Sequence, residues 1–150
     1  MVPLNSMVIR GAEPMVVDTG MGPRNGQIVY NEAAKLARGK PVYLVTTQVN
    51  PENDLGAQAF PASVKLLRAE KQVQDIAENG AAIADAGRSR GPAFADLLKD
   101  VRFRPADITF DPDYNLDLGG VRVQIMSMGV NHTLGDTVVF VNGDSVLFSG

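Results

Sequence analysis

The sequence predicts an α/β fold, on three observations. Over the first hundred residues, short β-branched runs alternate with stretches whose apolar side chains recur at helical spacing, an order that brings parallel strands side by side. In the last third the period changes, and Ile108–Phe110, Val121–Met126, Thr137–Val141 and Val146–Phe148 read as strands. A length of 150 residues, 45% hydrophobic and 21% charged, matches one domain spanning 1–150 with enough apolar residues for a core.

The elements follow in chain order. Ser6–Arg10 and Met15–Val17, separated by the turn-like Gly11-Ala12-Glu13-Pro14, predict a hairpin. Pro23 suits a first helical turn, and Val29, Ala33, Leu36 and Ala37 then recur on one face until Gly39 ends the helix. Val42–Thr46 is a short apolar run after Pro41, the pattern of a strand buried on both faces. A polar loop over Thr47–Asn53 leads to a strand at Val64–Leu67. Helical spacing returns through Val73, Ile76, Ala77 and Ile83, breaks over Gly87–Pro92, and resumes at Phe94, Leu97 and Leu98. The resulting helical insertion, Ala69 to Asp100, has the length of a lid. Asn142-Gly143-Asp144 predicts a hairpin between the last two strands, and Met126 and Met128 read as core packing. No internal repeat, low-complexity tract or linker interrupts the chain.

Composition excludes several classes of function. A formal charge of -3 is too mild for an electrostatic nucleic-acid footprint. With no Cys there is no disulfide framework, thiolate zinc site, iron-sulfur cluster or cysteine nucleophile. A metal would rest on Asp, Glu and the single His. No apolar run approaches the about 20 residues that span a bilayer, and the N-terminal MVPLNSMVIRGAEP lacks a basic stretch followed by an apolar one. The expectation is a cytoplasmic protein with no membrane or nucleic-acid partner.

Three patterns bear on chemistry. Gly20, Gly22 and Gly26 open a helix after a strand, but as G-x-G-x-x-x-G they are one residue too long for a dinucleotide fingerprint. No acidic residue ends the Val42–Thr46 strand to meet a ribose, so these glycines read as turn geometry. No G-x-S-x-G elbow exists for a serine nucleophile. His132 lies in the loop Gly129-Val130-Asn131-His132-Thr133-Leu134-Gly135-Asp136, where an imidazole can be aimed at a cleft or simply be hydrogen-bonded in place.

Thr46-Thr47-Gln48-Val49-Asn50-Pro51-Glu52-Asn53-Asp54-Leu55-Gly56 is the most informative segment. It stands in order with Val16-Val17-Asp18-Thr19-Gly20, with His132-Thr133 and Gly135-Asp136 before Val138-Val139-Phe140, and with Val146-Leu147-Phe148-Ser149-Gly150. Together these motifs resemble the metallo-β-lactamase superfamily. The resemblance implies an αββα sandwich with mixed β-sheet, of which this chain carries the N-terminal and central part and lacks the C-terminal half. It also implies one or two zinc ions held by imidazoles and a carboxylate, whose bound hydroxide attacks an ester, thioester or amide.

Carried onto this sequence, the ligand positions are Gln48, Asn50, Glu52 and Asn53 in the first loop and His132 downstream. Gln and Asn offer neutral amide oxygens, weak zinc donors beside imidazole. Glu52 stands where the family has aspartate and is the catalytic candidate. The family's next ligand would be residue 151, and Asp18 takes the position that braces the metal loop. The expected protein is a metallo-hydrolase relative, metal-poor and catalytically impaired. The alternative is a non-catalytic module that binds a small molecule or a partner in the same cleft through the amides of Gln48, Asn50 and Asn53. An uncovered sheet face would make it a homo-oligomer, or call for the missing half.

Overall fold

The structure, a computed structural model, describes residues 5–150; residues 1–4 of the segment read for a leader lie outside the described residues. The elements run β1 (Met7–Ile9), β2 (Met15–Val17), α1 (Gly22–Ala37), β3 (Tyr43–Val45), α2 (Pro51–Asp54), a 3-10 turn (Ala57–Ala59), β4 (Lys65–Ala69) and α3 (Glu70–Arg88). There follow α4 (Pro92–Leu97), β5 (Ile108–Phe110), β6 (Asp113–Asp117), β7 (Arg122–Gly129), β8 (Asp136–Val141) and β9 (Val146–Ser149).

The strands form two sheets. The first, ordered β1-β2-β3-β4-β5, is mixed: β1 pairs antiparallel with β2, and the other pairings are parallel. The second, β6-β7-β8-β9, is antiparallel throughout. Period-two alternation in each sheet sends one set of side chains into a shared core. Met15, Val17, Val45, Leu67 and Phe110 from the first sheet meet Val123, Ile125, Val139 and Val141 from the second. The opposite face of the first sheet, with Val16, Leu44 and Leu66, is covered by Ala33 and Ala37 of α1. The layers are therefore helix, sheet, sheet, an α/β arrangement with the mixed sheet at its centre.

Close backbone approach seats α1. A Cβ on Gly26 would lie 2.0 Å from the Gly56 carbonyl oxygen, and one on Gly56 would lie 2.5 Å from that of Thr19. Gly20 and Gly22 take φ 73 and 76, the turn geometry expected of them, while Gly26 and Gly56 serve close packing. Four expectations are corrected in detail. Val73 of α3 is 39% exposed, while Gln72, Asp75 and Ala84 face inward, because Gln72 and Asp75 have backbone partners to satisfy. Helix α3 also runs through Gly87, which packs against Pro51 and Leu98. Met126 and Met128 both lie outside the core: Met126 faces away from the inward Val123 and Ile125, and Met128 is 54% exposed near the end of β7, where pairing shifts between Ser127 and Gly129. The β8–β9 connection has its left-handed residue at Ser145 (φ 53) and not at Gly143, so the turn is a longer one than Asn-Gly favours. Strand β6, Asp113–Asp117, is not among the strands the sequence predicts.

Candidate functional site

The loops that follow β2 and β3 meet at the carboxyl ends of those parallel strands, where α/β sheets place their sites. Asp18 leaves β2 with φ 63, a left-handed conformation that Asp tolerates better than most residues. That turn sends its carboxylate into the next loop. It accepts from the backbone N–H of Thr47 at 2.7 Å, from the Thr47 hydroxyl at 2.8 Å and from Nδ2 of Asn53 at 2.8 Å. Thr19 completes the clamp: its N–H donates to the Asn53 carbonyl at 2.9 Å, and its hydroxyl accepts from the Gly56 N–H at 3.1 Å. Burial pushes the Asp18 carboxyl up from 3.8 to about 6, against the downward pull of these hydrogen bonds.

Beneath the loop lies a buried charged cluster. Arg68 of β4, 1% exposed, forks onto Asp54, with Nη2 donating to Oδ1 at 2.8 Å and Nη1 bonded to Oδ2. Nη1 of Arg68 also donates to the Thr46 hydroxyl at 2.9 Å, and Nε2 of Gln72 donates to the Thr46 carbonyl at 2.7 Å. Arginine within the otherwise apolar strand Lys65-Leu66-Leu67-Arg68-Ala69 is the sequence signal for this cluster. The first sheet thus holds the loop from below, while the N–H of Thr137 in β8 donates to the Thr47 carbonyl at 2.8 Å and holds it from the second.

The ligand positions sit on this support. Nδ2 of Asn50 donates to Oε1 of Gln48 at 2.8 Å, and Asn53 is tied to Asp18. Glu52 accepts from Nη1 of Arg90 at 3.2 and 3.3 Å. His132 is exposed; its backbone N–H donates to Oδ2 of Asp136 at 2.9 Å, which fixes the β7–β8 turn. The end of β9 passes the same place, since a Cβ on Gly150 would lie 2.1 Å from the Thr47 hydroxyl and 3.2 Å from Nδ2 of Asn53.

The resemblance read from the sequence implies zinc, and the donors here do not suit it. Among the described residues no group of three or more His, Cys, Asp or Glu side chains converges as a metal would require. Asn50 and Asn53 donate their amide N–H groups within the protein, and the loop carboxylate faces a guanidinium.

No family model and no curated protein matches the sequence. Solved structures do match. A metallo-β-lactamase from Pontibacter korlensis superposes with TM-score 0.75 at 21% identity, covering 99% of this chain and 60% of that one. A metallo-β-lactamase from Hirschia baltica gives 0.65 at 19% identity, covering 98% and 58%. A stereoselective inverting sec-alkylsulfatase from a Pseudomonas species gives 0.69 at 15% identity, covering 97% and 28%. The chain thus has the metallo-β-lactamase fold and spans less than two thirds of the length of each of these proteins. No described helix is long and apolar enough to cross a membrane.

Proposed function

We propose that this chain is a metallo-β-lactamase-fold relative of the hydrolases that is metal-poor and catalytically impaired, with a cleft that binds a small molecule through hydrogen bonds. One observation carries the reading: the polar groups at the family's ligand positions bind one another and their neighbours. Asn50 meets Gln48, Asn53 meets Asp18, and Glu52 meets Arg90. A zinc ion entering here would have to displace these contacts in exchange for weak amide donors. A cytoplasmic setting belongs to the same proposal.

The test is elemental analysis of protein purified in zinc-supplemented medium, with ester, thioester and lactam turnover measured beside it. The expected result is far less than one equivalent of zinc and no turnover above a Glu52→Ala control. Stoichiometric zinc with turnover abolished in that control would replace the reading with an active hydrolase.

Homo-oligomer formation is a second element of the proposal, supported by the outer face of the second sheet. Met126 pairs with Val138 there, and Phe140 with Leu147, which is 56% exposed. Among the described residues, Met126, Val138, Phe140 and Leu147 belong to no core cluster and share none with a helix.

A further inference from the structure

Arg90 is aimed at Glu52 by the backbone of the α3–α4 turn. Gly87 brings the end of α3 against α2: a Cβ there would lie 2.9 Å from Cγ of Pro51, the residue before Glu52. From that contact the chain turns at once. Ser89 N–H donates to the Asp85 carbonyl at 3.0 Å, Arg90 N–H to the Gly87 carbonyl at 3.3 Å, and Gly91 leaves with φ 139. Nη1 of Arg90 then lies within 3.3 Å of both Glu52 carboxylate oxygens. Glu52 is the one carboxylate among the four ligand positions Gln48, Asn50, Glu52 and Asn53, and so the one whose charge a cation ligated there would meet directly.

Resting on the metal-poor reading above, we infer that Arg90 takes the electrostatic place of the metal: its guanidinium supplies the positive charge at Glu52 and so opposes binding of a dication. Two independent features therefore keep metal from the loop, the carboxamides at 48, 50 and 53 and a resident cation on the remaining carboxylate. Restoring imidazoles alone leaves the second in force. The Gly87–Pro51 contact brings the backbone that carries Arg90 beside α2, and the side chain, 45% exposed, reaches Glu52 from there.

The experiment compares zinc affinity, by competition with a chromogenic chelator, in the Q48H/N50H/N53H variant with and without R90Q. R90Q is expected to tighten zinc binding about tenfold, the scale of removing one neighbouring like charge at a partly exposed site. An R122Q control, at the opposite end of β7 from the His132 turn, makes the same change in net charge and is expected to leave affinity unchanged. Equal affinity with and without R90Q, or an equal gain from R122Q, overturns the inference. So does failure of both histidine variants to bind zinc while circular dichroism reports them folded. If the triple variant does not fold, Q48H/N50H gives the same comparison with the Asn53–Asp18 bond intact. Stoichiometric zinc in the wild-type protein would sink the metal-poor reading, whereas an unresponsive R90Q pair over a zinc-poor wild type sinks only the role of Arg90.

Discussion

Asp18 and Thr47 are 29 residues apart in sequence and are joined by hydrogen bonds from both the backbone N–H and the hydroxyl of Thr47 to one carboxylate. This pairing fixes the loop bearing Gln48, Asn50, Glu52 and Asn53 to the end of β2. Its consequence for stability depends on pH. The folded carboxyl holds its proton up to about 6 and the unfolded one only to 3.8, so the folded state binds more protons between those values. Stability therefore falls as pH rises through that window, by up to about 3 kcal/mol. Urea midpoints measured from pH 4 to 7 should decline with pH in the wild type, and the Asp18-dependent part of that decline should vanish in D18N. An identical slope in the two proteins would refute the assignment.

The Arg68–Asp54 pair predicts an asymmetric response. Removing the guanidinium in R68A leaves a fully buried carboxylate without its partner, at a cost of about 3–5 kcal/mol. Replacing both members with apolar or neutral groups, as in R68M/D54N, should cost markedly less. Equilibrium urea unfolding checks this, and a double variant as unstable as R68A would contradict it.

Gly26 predicts a steric effect. Its Cβ would fall 2.0 Å from the Gly56 carbonyl oxygen, backbone against helix, so neither side can yield by a rotamer change. G26A should lose about 1–3 kcal/mol. G39A makes the comparison, since nothing lies within 4 Å of a Cβ there and only the left-handed φ of 85 opposes it. Thermal unfolding ranks the two, and a G26A midpoint equal to wild type would show that α1 can shift without loss.

The outer face of the second sheet predicts self-association. Light scattering should give a mass above that of one 16.0 kDa chain, and F140K/L147K should return it to the monomer. A monomeric wild type would remove the oligomer from the proposal.

Much of the architecture is legible in the sequence. Met15–Val17, Ile108–Phe110 and the β1–β2 hairpin appear where the β-branched runs and the Gly11–Pro14 turn place them. The Thr46–Gly56 segment also lies at a strand end, beside Asp18. Strand β6 was not legible, because Asp113-Tyr114-Asn115-Leu116-Asp117 carries three strand-averse residues and is held by pairing with β7. Nor was the inward face of α3, where Gln72 and Asp75 are buried by the hydrogen bonds they make to distant backbone.

The sequence by itself determined the α/β class, the strand runs and the carboxamide chemistry at positions 48, 50 and 53, because these depend on local pattern and side-chain type. Only the tertiary structure decided that Asp18 clamps Thr47, that Arg68 forks onto Asp54 and that Arg90 reaches Glu52. Each of those pairs joins residues 14 to 38 positions apart, and a hydrogen bond or ion pair at that separation exists only once packing has closed the chain between its members.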